Sequence, residues 1–215
     1  PQWRWMNPPM APLKALPLAL LLLLSGCDIP FLSESKPDPV QQEADGKAIG
    51  WHQGRMEFGP RALGNRSMVG HPTDAAINKS LNDRLERTEF MPFAPSVLAE
   101  RADEIFVDVS KAAHPAEFMT VTFDVREEWK SRIPAVVHVD GTARPQLVRA
   151  DRNPLYHALI KRYGELSGIP LVLNTSFNVH EEPIVCAPQE GIRALREDRI
   201  DALAIGRPST SLTMV

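Results

Sequence analysis

Apolar residues along this chain recur in two alternating patterns, one with a helical period and one in short unbroken runs. Ile77, Leu81 and Leu85 stand four positions apart, which predicts a helix over residues 74–86. The stretch over residues 153–168 begins with Asn-Pro and ends with Gly, which predicts a long amphipathic helix with both ends capped. Two more helices are predicted over residues 97–106 and 188–196.

Short runs rich in β-forming residues alternate with these helices and predict the strands of a sheet. The predicted strands cover residues 48–51, 118–125, 135–139, 170–173 and 202–205. Because strands and helices alternate along the chain, the pattern indicates an α/β domain built on a mixed sheet. The sequence contains no internal repeat.

Residues 54–67, with the sequence GRMEFGPRALGNRS, have no apolar period, and we call them the arginine loop. Guanidinium groups match the oxygens of phosphates and carboxylates, and glycine lets a ligand approach the backbone closely. The alternative is a solvated loop with weak surface ion pairs. The small residues around Arg61 and Arg66 leave backbone N–H groups accessible, which favours an anion site.

Two further polar segments follow predicted strands, where open α/β sheets commonly place their ligands. The first contains His138 and Asp140, which share a face if the strand continues through them. A turn at Gly141 then brings Thr142 and Arg144 beside them. The alternatives are a core histidine bonded to Asp140, which is the commoner state of a single histidine, and a surface strand pair formed by Thr142 and Arg144.

The second polar segment is Asn174-Thr175-Ser176-Phe177-Asn178, directly after the strand predicted over residues 170–173. Its two amides and two hydroxyls supply donors and acceptors that suit a sugar, an amide or the edge of a nucleobase. The alternative is an Asx-turn that satisfies its own backbone.

Composition and missing motifs exclude several classes of protein. The net charge of −3 over 215 residues gives no field that would attract nucleic acid, and two cysteines do not form a disulfide framework. The chain has no phosphate-binding loop ending in Gly-Lys-Ser/Thr, no dinucleotide-binding glycine fingerprint and no zinc-ligand spacing. No metal-ligating residue is therefore assigned.

The first 40 residues differ in character from the rest. Lys14 precedes an apolar run over residues 15–24, which ends in Leu-Ser-Gly-Cys and resembles a bacterial lipoprotein signal with a lipid on Cys27. Residues 33–39 have the composition of an unstructured tether. The alternatives are a buried strand or helix end and translated sequence with no role, such as a gene-model artefact. Membrane attachment is expected only if Cys27 is lipidated.

Several segments resemble the C-terminal domain of the NodU/CmcH-type O-carbamoyltransferases. The resemblance rests on GWHQGRMEFGPRALGNRS at 50–67, PFAPS at 92–96, HVDGTAR at 138–144, NTSFN at 174–178, EPIVC at 182–186 and DAL at 201–203. It covers residues 41–206, almost everything after the tether. Two positions depart from the family pattern: His52 replaces an aromatic residue, and Glu181 replaces a glycine.

The resemblance implies a YrdC-like α/β fold over residues 41–206, with a twisted mixed sheet flanked by helices and a tail over residues 207–215. In that family the domain binds ATP, with Mg²⁺, and carbamoyl phosphate, and forms a carbamoyl-adenylate. A separate N-terminal domain of the actin-like Kae1 type then passes the carbamoyl group to a hydroxyl. Residues 1–40 are too few to form that domain, so we expect a cytoplasmic, partial enzyme that needs it as a partner.

The resemblance also implies roles for single residues. The anion clamp is expected to consist of Arg55, Arg61, Arg66 and Arg144. His138 and Asp140 are expected to orient a phosphate oxygen or Mg²⁺. Further contacts to substrate or nucleotide are expected from Gly59, Ser67, Thr142, Asn174, Thr175, Ser176 and Asn178. The alternatives are a binding module without catalysis and an envelope lipoprotein derived from this domain.

Overall fold

The computed structural model describes residues 39–87, 92–206 and 212–214, so the signal-like segment with Cys27 lies outside the described residues. The strands are β1 Ile49–His52, β2 Arg66–Gly70, β3 Ala94–Leu98, β4 Phe123–Asp124, β5 Thr142–Ala143, β6 Gln146–Val148, β7 Leu171–Ser176, β8 Ala202–Gly206 and β9 Leu212–Met214. The α-helices are α1 Pro39–Ala44, α2 Ala76–Arg84, α3 Ala113–Ala116, α4 Glu127–Lys130, α5 Pro154–Ser167 and α6 Pro188–Arg196. Among the described residues, no helix is both long and apolar enough to cross a bilayer.

Seven of the described strands form one mixed sheet in the order β6-β3-β7-β2-β1-β8-β9, and β4 pairs with β5 apart from it. β1 runs parallel to β8 and β3 runs parallel to β6, while the other neighbours are antiparallel. This architecture confirms the predicted α/β domain with a mixed sheet. The edge strand β9 lies where the sequence predicts a tail, and α1 begins at Pro39, inside the predicted tether.

Two neighbouring residues of β1 show that helices cover both faces of the sheet. Trp51 packs against Tyr156 of α5, with 6.3 Å between the ring centroids. Gly50 is its neighbour on β1 and therefore faces the other way, level with Leu203 of β8. On that second face α6 comes so close that a Cβ on Gly191 would lie 3.2 Å from Leu203 Cδ1.

The helices with both capping signals and apolar periodicity are confirmed. The side chain of Asn153 accepts a hydrogen bond from Tyr156 N at 3.2 Å, and Gly168 ends α5 with a φ of 74°. α6 covers residues 188–196 as predicted. α2 covers a shorter span than predicted, and just before it Asp74 Oδ1 accepts a hydrogen bond from Ala76 N at 2.8 Å.

Three predicted elements are wrong. The apolar residues at the start of the predicted helix 97–106 belong to β3, which is buried between β6 and β7, and a 3-10 helix follows at Ala99–Glu104. Of the predicted strand 118–125 only β4 forms, and it pairs with β5 rather than with the main sheet. The predicted strand 135–139 is a 3-10 helix, Pro134–Val136, followed by a loop. Each run contains buried apolar residues, such as Val97, Phe123 and Val136, and burial alone does not distinguish strand from helix.

Candidate anion-binding site

A cavity of about 370 Å³ opens beside the arginine loop, where β7 ends and β3 begins. Ala94, the first residue of β3, is level with Asn174 of β7. The described wall consists of Pro60, Arg61, Ala62, Arg87, Pro92, Phe93, Ala94, Met119, Thr122, His138, Arg144, Asn174, Thr175, Ser176, Asn178, His180 and Glu181.

The structure divides the predicted site residues into two groups. The cavity wall includes Arg61, His138, Arg144, Asn174, Thr175, Ser176 and Asn178, which come from three separate parts of the sequence. The residues that do not line it are Arg55, Gly59, Arg66, Ser67, Asp140 and Thr142. Thr175 and Ser176 belong to β7 itself, so the strand predicted to end at residue 173 runs into the site.

Three guanidinium groups converge on the cavity, and together they make it strongly cationic. Burial lowers the pKa of Arg144, and the positive charge of Arg61 lowers it further, so these two side chains repel each other. Burial also lowers the pKa of Arg87. Among the described residues no carboxylate pairs with any of the three, and the described wall contains a single carboxylate, Glu181. An anion in the cavity would relieve this repulsion.

Arg87 lines the cavity, although the sequence predicts no role for it. Its Nη1 donates to Thr175 Oγ1 at 3.0 Å and its Nη2 donates to Ser176 O at 3.3 Å. The guanidinium carbon lies 5.7 Å from the centroid of the Phe93 ring. These contacts fix the plane of the guanidinium beside the end of β7. No motif surrounds Arg87, and only its position after α2 could have drawn attention to it.

Arg66, predicted to bind phosphate, has another role. The residue is 4% exposed, does not line the cavity, and donates only to backbone carbonyl groups. Its Nη1 donates to Gln53 O at 2.6 Å and Asn65 O at 3.0 Å, its Nη2 donates to Gly54 O and Cys186 O at 3.1 Å, and its Nε donates to Cys186 O at 3.3 Å. Arg66 therefore ties the two ends of the arginine loop together, and no donor remains for a ligand.

Glu57 folds the interior of the arginine loop. One oxygen of its carboxylate, Oε1, accepts from Leu63 N at 2.6 Å and from Asn65 N at 2.8 Å. The loop also rests on α5, because Gly64 has a φ of 101° and a Cβ there would overlap the ring of Tyr156. Ser67, another predicted site residue, is buried and helps to hold the loop: its Oγ accepts a hydrogen bond from Gly64 N at 3.0 Å.

The segment around His138 is a turn and not the predicted strand. Gly141 N donates to His138 O at 2.9 Å and His138 N donates to Thr142 O at 2.7 Å, so His138 and Asp140 do not share a strand face. Asp140 Oδ1 accepts from Thr142 N at 3.0 Å and from Thr142 Oγ1 at 2.7 Å, and these bonds lower the pKa of Asp140. The Asp140 carboxylate is thus committed to the turn.

The side chain of His138 remains on the cavity wall with a defined tautomer. Its Nδ1 lies 3.0 Å from Thr142 Oγ1, whose single proton goes to Asp140. His138 Nδ1 must therefore be the donor in that contact, which leaves Nε2 as the acceptor of a neutral ring.

Arg55, which the sequence predicts to be part of the anion clamp, is exposed and does not line the cavity.

A second cleft of about 440 Å³ adjoins the cavity and shares Arg61 and Arg144 with it. Gly59, another predicted site residue, lines this cleft together with Phe58 and Phe118. The side chain of Phe58 is fully exposed, and 45% of the surface of Phe118 is exposed. The arginine pair therefore stands between a polar cavity and an apolar cleft.

Two carboxamides on the cavity wall use their nitrogen atoms but not their oxygen atoms. Asn174 Nδ2 donates to Ala62 O at 3.1 Å and also contacts Ser96 Oγ and Gln146 Oε1. Asn178 Nδ2 donates to the carbonyls of residues 179 and 182. Among the described residues, neither Asn174 Oδ1 nor Asn178 Oδ1 has a hydrogen-bond partner. Both oxygen atoms are buried within the protein.

A family model described as "Carbamoyltransferase C-terminus" matches residues 40–211. Nodulation protein NolNO of Sinorhizobium fredii is 42% identical over 164 residues, which cover 76% of this chain and 24% of that protein. Nodulation protein NolO of Bradyrhizobium diazoefficiens is 41% identical over 76% of this chain and 30% of that protein. An uncharacterized protein of Methanocaldococcus jannaschii is 39% identical over 81% of this chain and 28% of that protein.

The chain therefore spans less than a third of the length of these curated relatives. Among solved structures, HypF of T. kodakarensis matches 77% of this chain and 22% of its own, with a TM-score of 0.50 and 13% sequence identity. That likeness concerns the fold alone, and it agrees with the predicted α/β domain with a mixed sheet.

Proposed function

We propose that this chain, which belongs to the carbamoyltransferase C-terminal family, is the domain that binds carbamoyl phosphate and ATP in a carbamoyl transfer reaction. The observation that carries the proposal is the convergence of Arg61, Arg87 and Arg144 on one cavity without a paired carboxylate among the described residues. Phosphate groups match guanidinium forks in charge and in geometry.

The reaction proposed for the cavity has two steps. Water releases phosphate from carbamoyl phosphate and leaves carbamate, and a carbamate oxygen then bonds to the α-phosphorus of ATP while pyrophosphate departs. Negative charge accumulates on the phosphate oxygens in both steps. Arg61 and Arg144, which both line the cavity, would stabilise that charge. Arg87, fixed by Thr175 and Ser176, would orient one phosphate group.

The wall residues favour a magnesium ion held chiefly by the nucleotide. Glu181 is the one carboxylate on the described wall, Asp140 is committed to its turn, and no described cluster of three or more His, Cys, Asp or Glu side chains could hold a metal. Mg²⁺ commonly binds through substrate phosphates, one or two carboxylates and water. When bound, it would neutralise part of the phosphate charge.

Transfer to an acceptor is proposed to require a further domain, of the Kae1 type that the resemblance implies. The chain spans less than a third of its curated relatives, and the apolar cleft at Phe58 and Phe118 opens beside the arginine pair. We propose that this cleft faces the partner domain, because an exposed apolar surface next to a site is typical of an interface. A use of ATP also favours a cytoplasmic location.

Two alternatives remain as outcomes of experiment. A binding module would take up carbamoyl phosphate or ATP and form no product by itself. An envelope lipoprotein would carry a lipid on Cys27, and labelling cells with a palmitate analogue would detect it, with Cys27→Ser as the control. Lipidation of the mature protein would argue against an ATP-dependent role.

The test is to incubate the full chain with ATP, Mg²⁺ and carbamoyl phosphate, and to measure pyrophosphate and carbamoyl-AMP by mass spectrometry. We expect both products, and we expect Arg144→Gln to abolish them in a folded protein. Arg162→Gln is the matched control, because this exposed arginine pairs with Glu165 on α5, away from the cavity. Binding of both ligands without product would favour the module, and absence of binding would contradict the proposal.

A further inference from the structure

His138 stands at the end of a short chain of hydrogen bonds that begins at the carboxylate of Asp140. Asp140 Oδ1 accepts from Thr142 Oγ1 at 2.7 Å, and His138 Nδ1 donates to the same hydroxyl oxygen at 3.0 Å. Asp140 Oδ1 also accepts from Thr142 N at 3.0 Å, which fixes the carboxylate in the turn. This arrangement keeps a proton on Nδ1 of the neutral ring and a lone pair on Nε2.

The second ring nitrogen of His138, Nε2, is both unpartnered and accessible. It has no hydrogen-bond partner among the described residues. The amide oxygens of Asn174 and Asn178 are enclosed by the protein, whereas Nε2 retains accessible surface. The residue itself is half-buried and lines the cavity. Nε2 can therefore accept a proton or a hydrogen bond from a small molecule.

The turn that holds His138 also leads the chain to Arg144. His138 N donates to Thr142 O at 2.7 Å, which closes the turn, and Arg144 follows shortly after it. Both His138 and Arg144 line the cavity, so the imidazole and the proposed phosphate site belong to one wall. His180 is the other imidazole on the described wall, and no hydrogen bond to another described residue fixes its ring. His138 is therefore the better placed base.

We propose that His138 Nε2 takes a proton from the water that attacks the carbonyl carbon of carbamoyl phosphate, with Thr142 and Asp140 as positioning residues. This role belongs to the first of the two proposed steps, so it rests on the proposed function. As the water oxygen bonds to the carbon, one water proton passes to Nε2. The bond from that carbon to the ester oxygen breaks, and phosphate leaves with the electron pair. Nε2 returns its proton to the phosphate, and the carbamic acid loses its own proton to solvent.

A positioned base favours attack on carbon over attack on phosphorus. Phosphoryl transfer passes through a loose transition state in most analyses, in which the attacking water has formed little of its new bond. Such a water gains little from losing its proton early. Addition to a carbonyl carbon makes the water oxygen much more acidic as the bond forms, so a base assists it. An imidazole beside cationic side chains therefore fits hydrolysis at the carbon.

Two donors of the carbamoyl group separate the proposed steps. The full chain is incubated with ATP, Mg²⁺ and either carbamoyl phosphate or ammonium carbamate, which supplies carbamate directly, and the rate of pyrophosphate release is measured. We expect His138→Gln to lower the ratio of the first rate to the second by about 100-fold or more. His71→Gln is the matched control and should keep the ratio. His71 Nδ1 also contacts a threonine hydroxyl, Thr73 Oγ1, at 3.0 Å, but His71 does not line the cavity.

The positioning role of Thr142 is tested by the same ratio of rates. Thr142→Val removes the hydroxyl with little change in shape and should lower the ratio, whereas Thr142→Ser keeps the hydroxyl and should restore it. Added imidazole should raise the rate of His138→Ala with carbamoyl phosphate, which it would not do for a purely structural histidine. In isotopically labelled water, the phosphate released by the unaltered chain should carry no labelled oxygen.

The remaining outcomes separate this inference from the function on which it rests. An equal loss with both donors in His138→Gln would assign His138 to ligand binding, which overturns the inference and keeps the proposed function. Labelled oxygen in the phosphate, or a selective loss in Glu181→Gln instead of His138→Gln, would also overturn the inference. No pyrophosphate from either donor in the unaltered chain would overturn the proposed catalysis and this inference together. Should His138→Gln not fold, the comparison of Thr142→Val with Thr142→Ser decides.

Discussion

The base and the tip of the arginine loop contain chemically identical side chains in opposite states. At the base, Arg66 is buried and all its hydrogen bonds go to backbone carbonyl groups. At the tip, Arg61 is exposed, lines the cavity, and has no hydrogen bond or ion pair among the described residues. An arginine-rich motif can therefore combine a structural residue with one that faces a ligand cavity. Only the acceptors around each guanidinium distinguish the two roles.

The largest effect is expected at the base. Arg66→Ala removes the donors to four carbonyl groups, which belong to Gln53, Gly54, Asn65 and Cys186, so the free energy of unfolding should fall by about 3 kcal/mol. Urea denaturation followed by circular dichroism measures this change. If Arg66→Ala instead unfolds normally and loses only its affinity for carbamoyl phosphate, Arg66 is a ligand-binding residue and the comparison fails.

Changes at the tip should affect binding and not stability. Arg144→Gln should weaken carbamoyl phosphate binding by about 2 kcal/mol, or roughly 30-fold, because a charge-assisted contact is lost. Arg61→Gln should cost less, since Arg61 is exposed and Arg144 is half-buried. Neither change should lower the melting temperature, because each relieves the repulsion between these two cations. Calorimetry and thermal denaturation of the same samples check both expectations, and a loss of stability in either variant would contradict them.

Glu43, unlike Arg66, is a buried ionisable residue whose side chain has no hydrogen-bond partner among the described residues. The side chain is fully buried in α1, neither carboxylate oxygen has a partner among the described residues, and burial raises its pKa well above the ordinary value. The folded state therefore keeps a proton that the unfolded state releases, so stability should fall as the pH rises above the ordinary carboxyl pKa.

The corresponding variant is Glu43→Gln, which cannot ionise. It should melt at the same temperature as the unaltered chain near pH 4 and at a higher temperature near pH 8. The melting temperature should rise by about 2–4 °C for each kcal/mol gained in the free energy of unfolding. Thermal scans across that range measure the difference. If Glu43→Gln instead melts at a lower temperature than the unaltered chain near pH 8, the carboxylate is ionised and paired in the folded protein.

The smallest effect on stability is expected at Phe58, next to the tip. Its side chain is fully exposed, so Phe58→Ser should change the free energy of unfolding by no more than about 0.5 kcal/mol. Formation of carbamoyl-AMP should also be unchanged. In a longer protein that joins this chain to the proposed Kae1-type domain, the same change should reduce transfer to the acceptor. Normal transfer would show that Phe58 and its cleft do not contribute to the proposed interface.

Local signals predicted the parts of the fold that local interactions decide. The cap at Asn153 and the left-handed Gly168 are encoded within a few residues, and α5 forms where they indicate. The helix predicted over residues 97–106 begins on the last two residues of β3, because the burial of this strand depends on β6 and β7, which lie far away in the sequence. The sequence predicts a strand where the turn at His138 forms, because the preceding apolar residues, Ala135 and Val136, are buried in a 3-10 helix.

The sequence predicted some residues of the candidate site and missed others. Motif resemblance identified Arg61, Arg144 and Asn174, which the fold brings to one cavity. It also included Arg66 and Ser67, because residues that hold a loop in shape recur in a motif as faithfully as those that touch a ligand. Arg87 belongs to no motif, and its place at the site depends on contacts with Thr175 and Phe93 that only the folded chain provides.

The close contact between Gly64 and the Tyr156 ring has a consequence for how the ligand affinity of such a domain can evolve. Trp51 Nε1 donates to Gly64 O at 2.9 Å, so the arginine loop is held both by the sheet and by α5. A substitution in α5 that moves the Tyr156 ring would shift the loop and with it Arg61, without altering any residue of the cavity. Ligand affinity in this domain can therefore be inherited, lost or engineered through a helix that the ligand never touches.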